Sequence, residues 1–99
     1  MADFKYTRRA KNDVDNIIEH IARDNKSAAD DFVHQLVGKF FALAKTPHMG
    51  CEREDYGAGI RTFPFGNYMI FYRPAKSGVT IVRVLHGARN LPDVFRAGR

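Results

Sequence analysis

The sequence predicts an α+β domain in which two N-terminal helices pack on one face of a small twisted antiparallel sheet, in the order β-α-α-β-β-β. Three observations predict it. Between residues 8 and 46 the apolar residues fall at helical spacing, in two stretches. From residue 60 the pattern changes to short runs rich in β-branched and aromatic residues. The chain has 99 residues, the size of one domain, so 1–99 is read as a single unit.

Residues 2–6 (ADFKY) read as a short strand. Thr7 then offers a side-chain oxygen to cap a helix. Over 8–24, Ala10, Val14, Ile17, Ile18, Ile21 and Ala22 fall on one side, opposite a charged face. Asp24, Asn25 and Lys26 form a tight connection. Ser27 starts a second helix, with Asp30 three residues on in the manner of a capping box. Its stripe runs Ala29, Phe32, Val33, Leu36, Val37, Phe40, Leu43, Ala44. Gly38 lies off the stripe and weakens the helix, and Pro47 ends it. Residues 46–59 are irregular and rich in turn formers. Strands follow at 60–65, 68–73 and 79–86, with Gly66-Asn67 as a two-residue type II′ hairpin turn. Residues 91–99 have room for one helical turn.

Two helices cover only one face of such a sheet. With the register set by Gly66-Asn67, Phe63, Phe65, Tyr68, Ile70 and Tyr72 share a face. Met69, Phe71 and Arg73 share the other. In the last strand Val82 and Val84 should alternate with Ile81, Arg83 and Leu85. Both faces therefore carry large apolar residues. The face away from the helices is expected to be an apolar groove edged by arginines, unless the 46–59 segment and the tail cover it. An open patch of that kind marks a binding surface.

The formal charge is +5, and its location matters more than its size. Residues 1–72 hold ten Lys/Arg and ten Asp/Glu, whereas 73–99 hold six basic residues against Asp93 alone. Such an end suits an acidic partner, either a nucleic acid or a protein surface, or it is a solvated cationic surface. The lone Cys51 excludes an internal disulfide. No cofactor motif is present, since Gly57-Ala58-Gly59 lacks the helix and Lys-Ser/Thr of a phosphate loop. His48 and Cys51 lack two further ligands for zinc, so no metal is expected. The N-terminus has no apolar core of a signal peptide, and no run is long enough to span a membrane. The expectation is a cytoplasmic protein with no membrane contact.

His20 and His34 read as surface residues. His86 ends the last strand beside Gly87-Ala88-Arg89, where it could act as a general acid or base near neutral pH or as a structural hydrogen bonder. Arg61, Arg73, Arg83 and Arg89 are the candidates for contacts with a partner, because a guanidinium pairs with carboxylates in a fixed bidentate geometry. Met69, Phe71 and Leu85 are the candidate apolar floor.

The stretch GIRTFPFGNYMIFYR at 59–73, followed by IVRVLHGARN at 81–90, resembles the ParE/RelE toxin superfamily, and the ParE branch most closely. The upstream helices fit, and the resemblance spans about residues 4 to 95. It implies a toxin of a type II toxin–antitoxin system that inhibits DNA gyrase and is neutralised by the C-terminal segment of a ParD-like antitoxin. DNA would be met only indirectly, through the antitoxin, which supplies operon binding. The RelE branch instead cleaves mRNA on the ribosome, with cations that stabilise a pentacovalent phosphate. That branch tends to place an arginine where this chain has Met69, and its tyrosine aligns near Phe95. Neither residue here carries the needed group. Phe95 joins the candidate binding residues on that alignment. An inhibitory binding protein is therefore favoured over an enzyme. Were the chain a nuclease, Arg61, His86 and Arg89 would be its catalytic candidates, with Glu54, Arg73 and Arg83 as further possible members. A third reading is an inactive partner in a complex.

Overall fold

The computed structural model describes residues 2–87. Arg89, Phe95 and the helical turn expected in 91–99 lie outside them. The elements are β1 (Asp3–Tyr6), α1 (Arg8–Asp24), α2 (Lys26–Lys45), β2 (Cys51–Glu52), β3 (Arg61–Phe65), β4 (Tyr68–Ala75) and β5 (Gly78–His86), with a 3₁₀ turn at Glu54–Tyr56. Two helices lie against an open five-stranded sheet ordered β1-β5-β4-β3-β2. No helix among the described residues is long and apolar enough to cross a membrane.

Strands β3, β4 and β5 form the antiparallel meander, with Phe63 opposite Ile70 and Phe65 opposite Tyr68. Gly66 takes a positive φ of 57° in the hairpin turn, as its lack of a Cβ allows. The sheet is nevertheless mixed. β1 lies on the far side of β5 and runs parallel to it, with Phe4 opposite Val79 and Tyr6 opposite Ile81. Parallel neighbours need a long crossover, and here everything from α1 to β4 separates the pair. β2 is a two-residue edge in the segment that the sequence reads as irregular.

Thr7 caps α1 as expected, accepting from the Ala10 N–H at 3.1 Å. It also donates to the Val82 carbonyl at 2.9 Å, so the cap is tied to β5. The second cap differs from the expectation. Asn25, not Ser27, caps α2, accepting from the Ala28 N–H at 3.0 Å. Asn25 also donates its backbone N–H to the Ile21 carbonyl at the end of α1. One residue thus closes one helix and opens the next.

The main core lies between helices and sheet. It joins Ala10, Leu36, Phe40, Leu43 and Ala44 to Ile70, Tyr72, Val79, Ile81 and Val84. Strict alternation fails in β5. Phe71 pairs with Arg83 while Tyr72 pairs with Ile81, which leaves Val82 as the extra residue of a bulge. Ile81 and Val84 both face the main core, whereas Val82 and Leu85 join Phe71 on the opposite face.

α1 is fastened to β5 by one buried carboxylate. Asp13 accepts from Arg83 Nε at 2.7 Å and from Arg83 Nη2 at 2.9 Å. It accepts a third bond from the Val84 N–H at 3.1 Å. Both side chains are largely withdrawn from water, at 8% and 12% exposed. Removing one member of such a pair leaves a buried charge uncompensated. Asp13→Ala should therefore lower stability by about 3–5 kcal/mol in denaturant titrations. Replacing Asp13 and Arg83 together with leucine and methionine should recover much of that loss.

Candidate functional site

The face of the sheet away from the helices holds the second apolar cluster. Ile60, Phe71 and Leu85 are buried there, and Tyr56, Met69 and Val82 are partly buried around them. Phe71 is fully enclosed, and the Tyr56 ring meets it edge-on at 4.8 Å. Tyr56 carries the Arg53 guanidinium over its own face at 4.8 Å. Arg53 makes two bonds to Asp55, at 3.0 and 2.8 Å, and this pairing raises its pKa above the ordinary guanidinium value. The turn at 53–60 thus packs on this face. Of the three floor candidates, Phe71 and Leu85 are buried, and Met69 alone is half-exposed.

The arginines hold the chain's own backbone. Arg61 Nε donates to the Gly50 carbonyl at 3.1 Å and Nη2 to the His48 carbonyl at 3.4 Å. Its Nη1 lies 3.3 Å from Glu52, and the side chain is 14% exposed. Arg73 Nε donates to the Ala58 carbonyl at 3.1 Å, from an exposed position on β4. Both pin the 46–60 segment to the sheet edge. Arg83 is buried and engaged with Asp13. Glu54 is engaged as well, accepting from the Gly59 N–H at 2.8 Å.

His86 stands elsewhere. It is half-buried at the end of β5, with its ring edge-on to Tyr68 at 5.3 Å. It lines a cavity of about 500 Å³ between α1 and the ends of β4 and β5, with Asp13, Asn16, His20, Arg23 and Tyr68. His86 pairs with Tyr68, and Arg61 with Tyr72, on opposite sides of β4. Four residues of strand separate those pairs by roughly 13 Å. Arg61 and His86 do not converge on one reacting atom. Met69, Phe71 and Leu85 do come together, in one cluster. Among the described residues no group of three or more His, Cys, Asp or Glu is placed to hold a metal ion.

Two important residues escaped the sequence reading. Asp13 is one. Tyr72 is the other, fully buried among the helix-facing residues. Its hydroxyl donates to the Pro47 carbonyl at 2.8 Å and accepts from the Gly50 N–H at 2.8 Å. A buried tyrosine needs such partners, and that need was the available signal. Gly50 fits because it has no side chain: a Cβ there would stand 2.5 Å from the Tyr72 hydroxyl and 2.6 Å from the Thr62 carbonyl oxygen. Tyr72→Phe should cost about 1–3 kcal/mol, because two backbone groups lose their partner. The amide of Gly50 should then exchange with solvent markedly faster, as read by hydrogen exchange.

Comparison with known proteins agrees with this architecture. The model of the family described as "ParE toxin of type II toxin-antitoxin system, parDE" matches residues 4–91. Toxin ParE1 of Caulobacter vibrioides is 34% identical over 91 residues, which is 91% of this chain and 94% of that protein. Toxin ParE3 of the same organism is 29% identical over 86 residues, 86% of each chain. A solved structure titled "Chromosomal ParDE TA system from P. aeruginosa" shares the fold, with a TM-score of 0.70 at 24% identity over 87% of this chain and 96% of that one. On the family match and the relationship to ParE1, the chain belongs to the ParE toxin family of type II toxin–antitoxin systems.

Proposed function

We propose that this toxin acts by binding, that its target is DNA gyrase, and that a ParD-like antitoxin neutralises it. The observation that carries the reading is Met69. It sits on β4 within the apolar cluster of Ile60, Phe71 and Leu85, at the position where the RNA-cleaving branch tends to place an arginine. A thioether supplies neither the charge nor the proton transfer that cleavage of a phosphodiester requires. The spread of Arg61 and His86 to opposite sides of β4 supports the same reading. Family membership supports the antitoxin as the partner. DNA is then contacted only through that antitoxin, in the complex that represses its own operon.

The direct test uses the purified chain and gyrase. Supercoiling should be blocked or cleaved DNA trapped, and adding the cognate antitoxin should restore activity. mRNA on translating ribosomes should remain intact. Unaffected gyrase together with new codon-linked cuts in the message would assign the chain to the RNA-cleaving branch instead. No growth defect on expression without antitoxin would favour an inactive partner.

A further inference from the structure

α2 carries a second organised face, and nothing in the described chain covers it. Its buried side is Ala29, Leu36, Phe40, Leu43 and Ala44. On the outward side Asp30, His34, Gly38 and Phe41 are exposed, and Val33 and Val37 are half-buried. These six residues line one shallow depression of about 510 Å³. Their spacing, in steps of three and four, is that of a seam between two helices. Phe41 is 44% exposed. The Phe4 ring meets it edge-on at 5.0 Å, and Phe4 leads on to Tyr6, itself 53% exposed, which widens the apolar surface toward the edge of the sheet. At the centre is Gly38, above which a Cβ would meet nothing within 4 Å. Glycine weakens a helix interior, and here it leaves room for the backbone of another helix.

We infer that this face is a self-association surface, with α2 of a second copy packed antiparallel across Gly38. The charges choose that occupant. Asp31 and Lys45 are both exposed. Each lies seven residues from Gly38, about 10 Å along the axis and on the same side of the helix. Inverting one helix about Gly38 brings Asp31 of each copy beside Lys45 of the other. The symmetric pair therefore makes this complementary contact twice. The antiparallel arrangement also sets opposite helix dipoles side by side. A parallel arrangement would instead set Asp31 against Asp31 and Lys45 against Lys45. This inference stands apart from the choice of gyrase as target.

The purified full chain should show a concentration-dependent monomer–dimer equilibrium in sedimentation velocity. Gly38→Leu should abolish the dimer while leaving the melting temperature of the monomer unchanged or higher. Asp31→Lys alone should weaken the dimer about tenfold by replacing attraction with repulsion. Asp31→Lys combined with Lys45→Asp should restore it. Because the charge variants lie on the surface, circular dichroism will separate lost association from lost folding. The inference is overturned if the wild-type chain stays monomeric throughout. It is equally overturned if the double swap fails to rescue a folded protein, or if Gly38→Leu disturbs only binding of the antitoxin, which would make a helix of the antitoxin the occupant.

Discussion

The placement of α1 depends on one carboxylate. β1 ends opposite Ile81, so beyond that point β5 has no strand on that side. Thr7 takes over at the Val82 carbonyl, and Asp13 at the Arg83 guanidinium and the Val84 N–H. α1 thereby continues the work of a strand with side-chain oxygens. Because Asn25 joins α1 directly to α2, the position of one helix fixes the approach of the other. The cavity beside His86, the main core and the outward face of α2 all inherit their geometry from that fastening.

A second system holds the opposite edge. Tyr72 reaches from the core to Pro47 and Gly50, Arg61 to His48 and Gly50, and Arg73 to Ala58. These groups satisfy carbonyls in a segment with little regular structure of its own, where an unpaired buried carbonyl would be costly. The arginines that read as partner contacts are thus also structural clamps. A substitution at Arg61 or Arg73 would disturb the 46–60 segment as well as any partner, so binding data on them need a folding control.

Much of this was legible in the sequence. The helices announced themselves by spacing, the hairpin by Gly66-Asn67, and the split of Phe63, Phe65, Tyr68, Ile70 and Tyr72 from Met69 and Phe71 by simple alternation. The parallel pairing of β1 was not legible, because four residues carry no signal of which neighbour they will join. Whether Phe71 would be buried was left open for a related reason. It depends on Tyr56 and Ile60 folding back from a segment with no periodicity. Arg83 misled because a guanidinium in an apolar strand looks the same whether it faces a partner or an aspartate 70 residues earlier in the chain. Asp13 sits beside Val14 and Ile17, yet only the tertiary fold shows that it points inward.

The bulge at Val82 has a wider meaning. A strand transmits parity: every second residue sees the same side. The extra residue reverses that parity midway along β5, so the strand consists of two half-strands with opposite phase. The first half is phased to β1, and the second to α1 and the closing turn. Residues before and after Val82 therefore answer to different neighbours and can vary separately in type. The same residues paired without the bulge, in strict alternation from Ile81, would send Val84 outward and Leu85 inward, undoing both clusters without altering the composition of either.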